Sequence, residues 1–260
     1  MIKWIGLLLT HSLYQCKGGI KYNWERKAEY PFHQGSFGAT MSRNRYFEIM
    51  RCLHFTDTLE EVNTSDKFYK IRMFFDCMNK TFDAAYELGC DCSFDEGTIA
   101  SRLRFMPAKQ FNPMKPKKWG VKLFMLCCSR TGFCTHFELY MGKNEYKKDS
   151  VAGPDSLYRN VLHLRHTRRV IYCDRYYSSV TLFYNLLAVG LYACGTVQTR
   201  RIGFSKEIQI QKNKKIERGT VHLAHSKNGN HVVDQISCKD AKPVNMLSTG
   251  IGVIHVTVEH

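Results

Sequence analysis

A chain of 260 residues with 44% hydrophobic content is long enough to bury a core and too apolar to be disordered. Its formal net charge of +15 is not gathered in a tail, so the excess lies on folded surface and points to a polyanionic partner. Eleven cysteines, an odd count with Cys127 and Cys128 adjacent and most others in apolar runs, exclude a disulfide framework and suit a reducing compartment.

The opening stretch from Met1 to Thr10 looks like a short signal peptide. Its apolar core is brief and no small-x-small site follows, so a buried helix suits it better. No run approaches the ~20 apolar residues needed to span a membrane. Ser42 can cap a helix with the stripe Tyr46, Ile49, Met50 and Leu53. After a polar connection from Thr56 to Thr64, Ser65 can cap a longer helix. Its stripe is Ile71, Phe74, Phe75, Met78, Phe82 and Ala85, with Gly89 as a left-handed stop.

Beyond Gly89 the pattern turns to strands. One runs from Cys90 to Asp95, and a basic, proline-punctuated loop follows from Ser101 to Lys118. Trp119 to Cys128 and Phe133 to Tyr140 read as strands joined by a turn at Ser129–Gly132. A helix is expected after Gly153-Pro154-Asp155, then a strand from Arg169 to Cys173 ending at Asp174. A helix from Val180 to Val189, stopped by Gly190, and a strand from Leu191 to Val197 complete the order βββαβαβ, which fits a mixed sheet covered by helices. Past Arg200 the chain is basic and sparse in apolar residues. Short strands are then expected at Val221 to Ala224, His231 to Ser237, Val244 to Leu247 and Val253 to Val258.

Asp95 and Asp174 each close a strand-like run. In this order the first and fourth strands commonly lie side by side, which would bring the two together. Paired carboxylates in a basic chain suit a divalent metal for phosphate chemistry on nucleic acid, a site that usually needs a third carboxylate. The plainer alternative is that Asp174 caps a turn and Asp95-Glu96-Gly97 is a loop. Lys109, Lys115, Lys117, Lys118 and Lys122 surround Phe111 and Trp119. The lysines suit phosphate contacts, and the aromatics either stack on an unpaired base or close the core edge, which Trp119 at a strand start favours. Arg200 and Arg201 open a second basic stretch. No C-x₂-C pair exists and His54, His136 and His163 are scattered, so no zinc site is expected.

Several segments together carry a resemblance. They are Met41-Ser42-Arg43-Asn44-Arg45-Tyr46-Phe47-Glu48-Ile49, Leu53-His54-Phe55-Thr56-Asp57, Phe94-Asp95-Glu96-Gly97 and Lys115-Pro116-Lys117-Lys118-Trp119-Gly120-Val121-Lys122. Tyr140-Met141-Gly142-Lys143 and Cys173-Asp174-Arg175-Tyr176-Tyr177-Ser178-Ser179 follow. In this order, from about Ile5 to Thr249, they resemble the piggyBac family of DNA transposases and its domesticated derivatives. The resemblance implies a ribonuclease H-like α/β core over 90–199. A helical dimerisation and DNA-binding part precedes it over 1–89, and a partial β-rich insertion follows over 200–260. It further implies metal-dependent cut-and-paste cleavage and transfer of double-stranded DNA (transposon ends and target) with Mg²⁺ or Mn²⁺, a homodimer, and action in the nucleus. Asp95 and Asp174 match the first two metal-binding catalytic aspartates. Lys109, Lys115, Lys117, Lys118, Lys122, Arg200 and Arg201 are the candidate DNA contacts.

The third aspartate of the family has no match here. Asp240 corresponds to a non-catalytic strand of the insertion, and Asp234 has no better claim. The expectation is therefore a chain that stops before the third ligand, without the second helical part and the cysteine-rich zinc domain, and that does not transpose alone. The alternative is a domesticated, non-catalytic DNA- or chromatin-binding protein.

Overall fold

The computed structural model describes residues 1–14, 18–25, 36–56, 66–101, 103–106, 108–142, 152–211 and 216–250. By internal packing the chain divides into Met1–Val62 and Asn63–His260.

In the first unit, α1 (Ile2–Leu13), a 3-10 turn (Ile20–Trp24), α2 (Phe37–Thr40) and α3 (Arg43–Cys52) surround an aromatic centre. Trp4, Leu7, Phe37 and Tyr46 are buried there with Trp24 packed against them, and the Trp4 and Tyr46 rings stack at 5.5 Å. Each indole finds an acceptor: Trp4 Nε1 donates to the Tyr46 carbonyl (3.1 Å) and Trp24 Nε1 to that of Met41 (2.7 Å). Ser42 caps α3 as its spacing predicts, accepting from the Arg45 amide. Tyr46 of the expected stripe is fully buried, whereas Met50 is exposed. The expectation of a buried first helix is corrected: only Trp4 and Leu7 of α1 are buried, and Ile2, Ile5, Leu8, Leu9 and Leu13 face outward.

The second unit opens with α4 (Tyr69–Ala85). The proposed cap Ser65 lies outside the described residues. Asp66 organises this end instead, its Oδ1 accepting from the Phe68 amide while Arg72 grips both carboxylate oxygens at 2.7 and 2.9 Å. The helix stops four residues before Gly89, which is not left-handed. A tertiary contact ends it: Tyr86 turns extended, stacks on Phe133 at 4.8 Å and reaches the Cys128 thiol.

Among the described residues nine strands form one sheet: β1 (Asp91–Ala100), β2 (Lys109–Phe111), β3 (Trp119–Cys128), β4 (Cys134–Leu139), β5 (Val170–Cys173), β6 (Tyr192–Thr196), β7 (Val221–Asn228), β8 (His231–Lys239) and β9 (Pro243–Ser248). Their order is β2-β3-β1-β5-β6-β9-β8-β7, with β4 also on β3. β1 pairs antiparallel with β3 and parallel with β5, so the first and fourth expected core strands are neighbours. The short β2 lies inside the expected basic loop. The segment after residue 200 adds its strands to the same sheet through β9 on β6, and it buries Phe204, Ile208 and Ile210 despite its polar look. The strand expected at Val253 lies outside the described residues.

α5 (Ala152–Val161) and α6 (Val180–Ala188) cover one face. Leu157, Val161, Val180, Phe183 and Leu186 pack there on Phe94, Phe124, Leu126 and Ile171. α5 starts before Gly153-Pro154-Asp155 rather than after it, since Pro154 sits in the first turn, where its missing N–H costs nothing. α6 is capped by Ser179, which accepts from the Leu182 amide, and Gly190 ends it at φ +70°. α4 covers the opposite face over β3 and β4 through Ile71, Phe75, Met78 and Phe82, so by packing it belongs with the sheet rather than with the first unit.

Candidate functional site

Asp95 does not end its strand as expected. β1 continues to Ala100 along β3, with Asp95 opposite Met125. What ends beside it is the parallel pairing with β5, whose last partners are Phe94 and Cys173. The next residue of β1 is Asp95 and the next of the β5 chain is Asp174. Alternation puts both on the face that carries Ser93 and Tyr172, register partners one step back. Neighbouring strands lie about 4.8 Å apart, so two residues separated by a long stretch of sequence share one exposed spot just past the carboxyl end of the parallel β1–β5 pairing. Open α/β sheets place their ligands at such ends.

Each carboxylate is anchored by a nearby amide. Asp95 Oδ1 accepts from Glu96 N (2.7 Å) and Asp174 Oδ1 from Tyr176 N (2.8 Å). The Asp174 turn is closed by the amides of Tyr177 and Ser178, which both donate to the Asp174 carbonyl at 3.1 Å. Partial desolvation against the sheet raises Asp95 from its ordinary value, helped by the negative charges of Glu96 and Asp174; the Glu96 amide pulls the other way. A dication between the carboxylates would offset that repulsion, and their hard oxygens fit one.

Sequence reasoning missed the support of this pair. Glu96 turns to the opposite face, where the buried Tyr177 hydroxyl donates to its Oε2 at 2.8 Å and Lys122 Nζ lies 3.6 Å from Oε1. The Tyr177 ring packs edge-on against Phe94 at 5.0 Å. Burial and then the Glu96 hydrogen bond drive the Tyr177 phenol far up, so it remains a donor. The one available signal was the position of Tyr177, three residues past Asp174. Gly195 completes the arrangement: a Cβ there would meet the Cys173 carbonyl at 2.3 Å and Ser178 Oγ at 2.7 Å, so β6 can run this close to the aspartate turn only without a side chain.

The candidate DNA contacts fall into groups. Lys115, Lys118 and Lys122 line one cavity with Glu96 and Phe111. Lys117 and Lys118 line another with Trp119. Lys122 is the least free of them, since it pairs with Glu96 and sits over the Tyr176 ring at 4.8 Å. Lys109 donates to the Leu103 carbonyl and lies over the Trp119 ring at 5.1 Å. The expectation that Trp119 closes the core edge is corrected. Trp119 starts β3 at the tip of the hairpin, beyond the reach of α4, and is 51% exposed. Arg200 and Arg201 lie elsewhere, past β6, lining a cavity with Tyr176 and Tyr158. Arg201 donates to the Tyr176 carbonyl at 2.6 Å, which ties this stretch to the aspartate turn.

Asp240 sits beyond the end of β8 in an ion pair with Arg218 at 2.7 Å, and Asp234 pairs with His225 at 2.7 Å. Both are thus engaged in the β7–β9 ribbon. Among the described residues no group of three or more His, Cys, Asp or Glu side chains is placed to hold a metal ion. No helix among them is long and apolar enough to cross a membrane.

Comparison with known proteins accounts for this architecture. The human PiggyBac transposable element-derived protein 3 is 26% identical over 275 residues, which takes in 96% of this chain and 44% of the relative. The human PiggyBac transposable element-derived protein 2 is 27% identical over 237 residues, 88% of this chain and 39% of the relative. The chain therefore spans less than half the length of either. A cryo-EM structure of a piggyBac transposase synaptic complex with hairpin DNA matches with a TM-score of 0.80 at 22% identity, over 98% of this chain and 53% of that one. That likeness establishes the fold, a mixed sheet with a ribonuclease H-like core. DDE-type transposases generally depend on a divalent metal. The DDE family model described as Transposase IS4 matches residues 1–258, and the chain belongs to this piggyBac-type transposase family.

Proposed function

We propose that this chain is the DNA-engaging part of a piggyBac-type transposase, in which Asp95 and Asp174 supply two carboxylates for Mg²⁺ or Mn²⁺. The observation that carries the reading is the parallel β1–β5 register, which sets the two aspartates side by side on one exposed face. In the whole protein the ion would supply charge stabilisation for cleavage and transfer of DNA strands. This chain's own residues orient the carboxylates: the amides of Glu96 and Tyr176 hold one oxygen of each, and Tyr177 and Lys122 brace Glu96 from behind. Lys115, Lys117 and Lys118, with Arg200 and Arg201, would contact phosphates of double-stranded DNA at transposon ends and target. The basic surface and the family both support that role. The same reading includes a homodimer and a nuclear site of action, both carried by the family resemblance.

With Asp95 and Asp174 as the two carboxylates of this site among the described residues, the chain alone would hold a metal weakly and would not join DNA ends. The deciding experiment is Mn²⁺ binding followed by electron paramagnetic resonance. One weak ion is expected, lost on Asp95→Asn and on Asp174→Asn with the circular dichroism unchanged. An ion held equally well by both variants would refute the site. Duplex binding by anisotropy should weaken steeply with salt, with a log–log slope reduced by about 0.9 for each phosphate-contacting lysine removed.

The two-carboxylate set also favours a second reading, a host-retained DNA- or chromatin-binding protein without catalysis. Salt-sensitive binding with no Mn²⁺-dependent nicking would support it. Nicking abolished by Asp174→Asn would support the enzyme.

A further inference from the structure

The geometry points to a stacking platform for unpaired DNA bases at the β2–β3 hairpin, formed by Phe111 and Trp119. This rests on the DNA-binding reading above and adds a site for a single-stranded segment. Phe111 and Trp119 are register partners at the loop end of the hairpin. Their rings meet at 4.8 Å with a 49° tilt, and they are 52% and 51% exposed. Two large aromatics half in water cost hydration free energy, and nothing among the described residues covers them.

Their setting identifies the occupant. Lys109 lies over the Trp119 ring at 5.1 Å, and Lys117 and Lys118 line the cavity beside that ring. Lys115 and Lys118 line the cavity on the Phe111 side. An apolar protein partner would have to desolvate these ammonium groups, whereas a nucleic acid strand presents a ring for the aromatics and a phosphate for the lysines at each step. A base in a duplex has its faces taken by neighbouring bases, so only an unpaired one can stack here.

The platform is held still. The Asn112 amide donates to the Lys118 carbonyl at 2.7 Å, closing the loop between the strands, and Asn112 Oδ1 accepts from the Met114 amide at 3.0 Å. Trp119 is six steps along β3 from Met125, the register partner of Asp95, which is about 20 Å at ~3.3 Å per residue; Val121 and Leu123, on the same face between them, are buried under α4, so the platform stands apart from the carboxylates.

The test uses the 260-residue chain with a fluorescein-labelled thymidine 15-mer and a duplex of equal length. Anisotropy gives the affinities, and an unlabelled 15-mer is used to read tryptophan emission. Saturating single strand should quench Trp119, and the change should vanish in Trp119→Phe, which keeps the ring and leaves only Trp4 and Trp24 to emit. Trp119→Ala and Phe111→Ser should each weaken single-strand binding about tenfold or more and duplex binding less than about twofold. Both positions are exposed, and far-ultraviolet circular dichroism verifies that each variant folds. Emission unmoved at a saturation proven by anisotropy, or Trp119→Ala weakening both forms equally, overturns the platform and leaves the DNA reading intact. Binding of neither form overturns both.

Discussion

Removing one oxygen atom, in Tyr177→Phe, tests whether the aspartate turn is braced from behind. The Tyr177 ring is fully buried against Phe94 and Phe124, and phenylalanine keeps that packing. What goes is the hydroxyl that donates to Glu96 Oε2 at 2.8 Å. A hydrogen bond to a charged group contributes about 1.5–3 kcal/mol. The Glu96 side chain is 29% exposed and keeps Lys122 at 3.6 Å, so water and the ammonium recover part of the loss. About 1–2 kcal/mol should remain. For a unit of this size each kcal/mol lowers Tm by about 2–4 °C, which gives a fall of about 2–8 °C by calorimetry. Because the phenol stays protonated, the fall should be the same at pH 6 and pH 8. Glu96→Gln and the double variant complete a cycle in which the pair should be non-additive by at least about 0.5 kcal/mol. A Tm within a degree of the parent, or strict additivity, would refute the brace.

Three further outcomes follow from contacts elsewhere. Arg72 holds Asp66 below its ordinary value of 3.8 through two hydrogen bonds. A depressed carboxylate contributes stability above that value and loses it as pH falls through the folded pKa, so Asp66→Asn should be less stable than the parent at pH 7 and converge with it in acid melts below pH 4. The His136 and His163 rings lie 5.2 Å apart, tilted by 44°, and each is held below 6.5, first by burial. Their unfolded forms take up protons before the folded ones, so stability should start to fall as pH drops below 6.5, and His163→Gln should flatten the Tm profile between pH 6.5 and 5. Gly195→Ala should lower Tm and weaken Mn²⁺ binding together, because its Cβ collides with the Cys173 carbonyl beside the aspartate turn; loss of neither would show that this close approach is not needed.

The sheet was largely legible because its strands obey short-range rules. β3 falls where the apolar run from Trp119 to Cys128 predicts, and α6 between Ser179 and Gly190 carries its own start and stop signals. Misreadings occur where a distant contact outweighs the local signal. Gly89 invites a helix stop, but Tyr86 leaves the helix earlier to reach Phe133 and Cys128. β1 looks finished at Asp95 because polar residues follow it. Yet Glu96 to Ala100 pair along β3 with one edge left open, and a strand at the limit of a sheet needs no alternating apolar face.

The candidate site divides along the same line. Asp95 and Asp174 could be named from pattern and resemblance, since they sit beside recognisable strands. Their being neighbours is expected from the strand order, which sets the first and fourth strands side by side; the register that aligns them, with Phe94 opposite Cys173, is not legible in the sequence. A shift of one residue in that register would turn one carboxylate to the α6 face and leave the other alone. Fully buried Phe94 and Ile171, both on the helix-covered side, prevent that shift, because slipping either strand would drive a large apolar side chain into water and a carboxylate into the core. The hydrophobic packing under α5 and α6 therefore sets the geometry of the charged face opposite. Core substitutions at Phe94 or Ile171 should for that reason weaken metal binding at Asp95 and Asp174, although neither side chain points toward them.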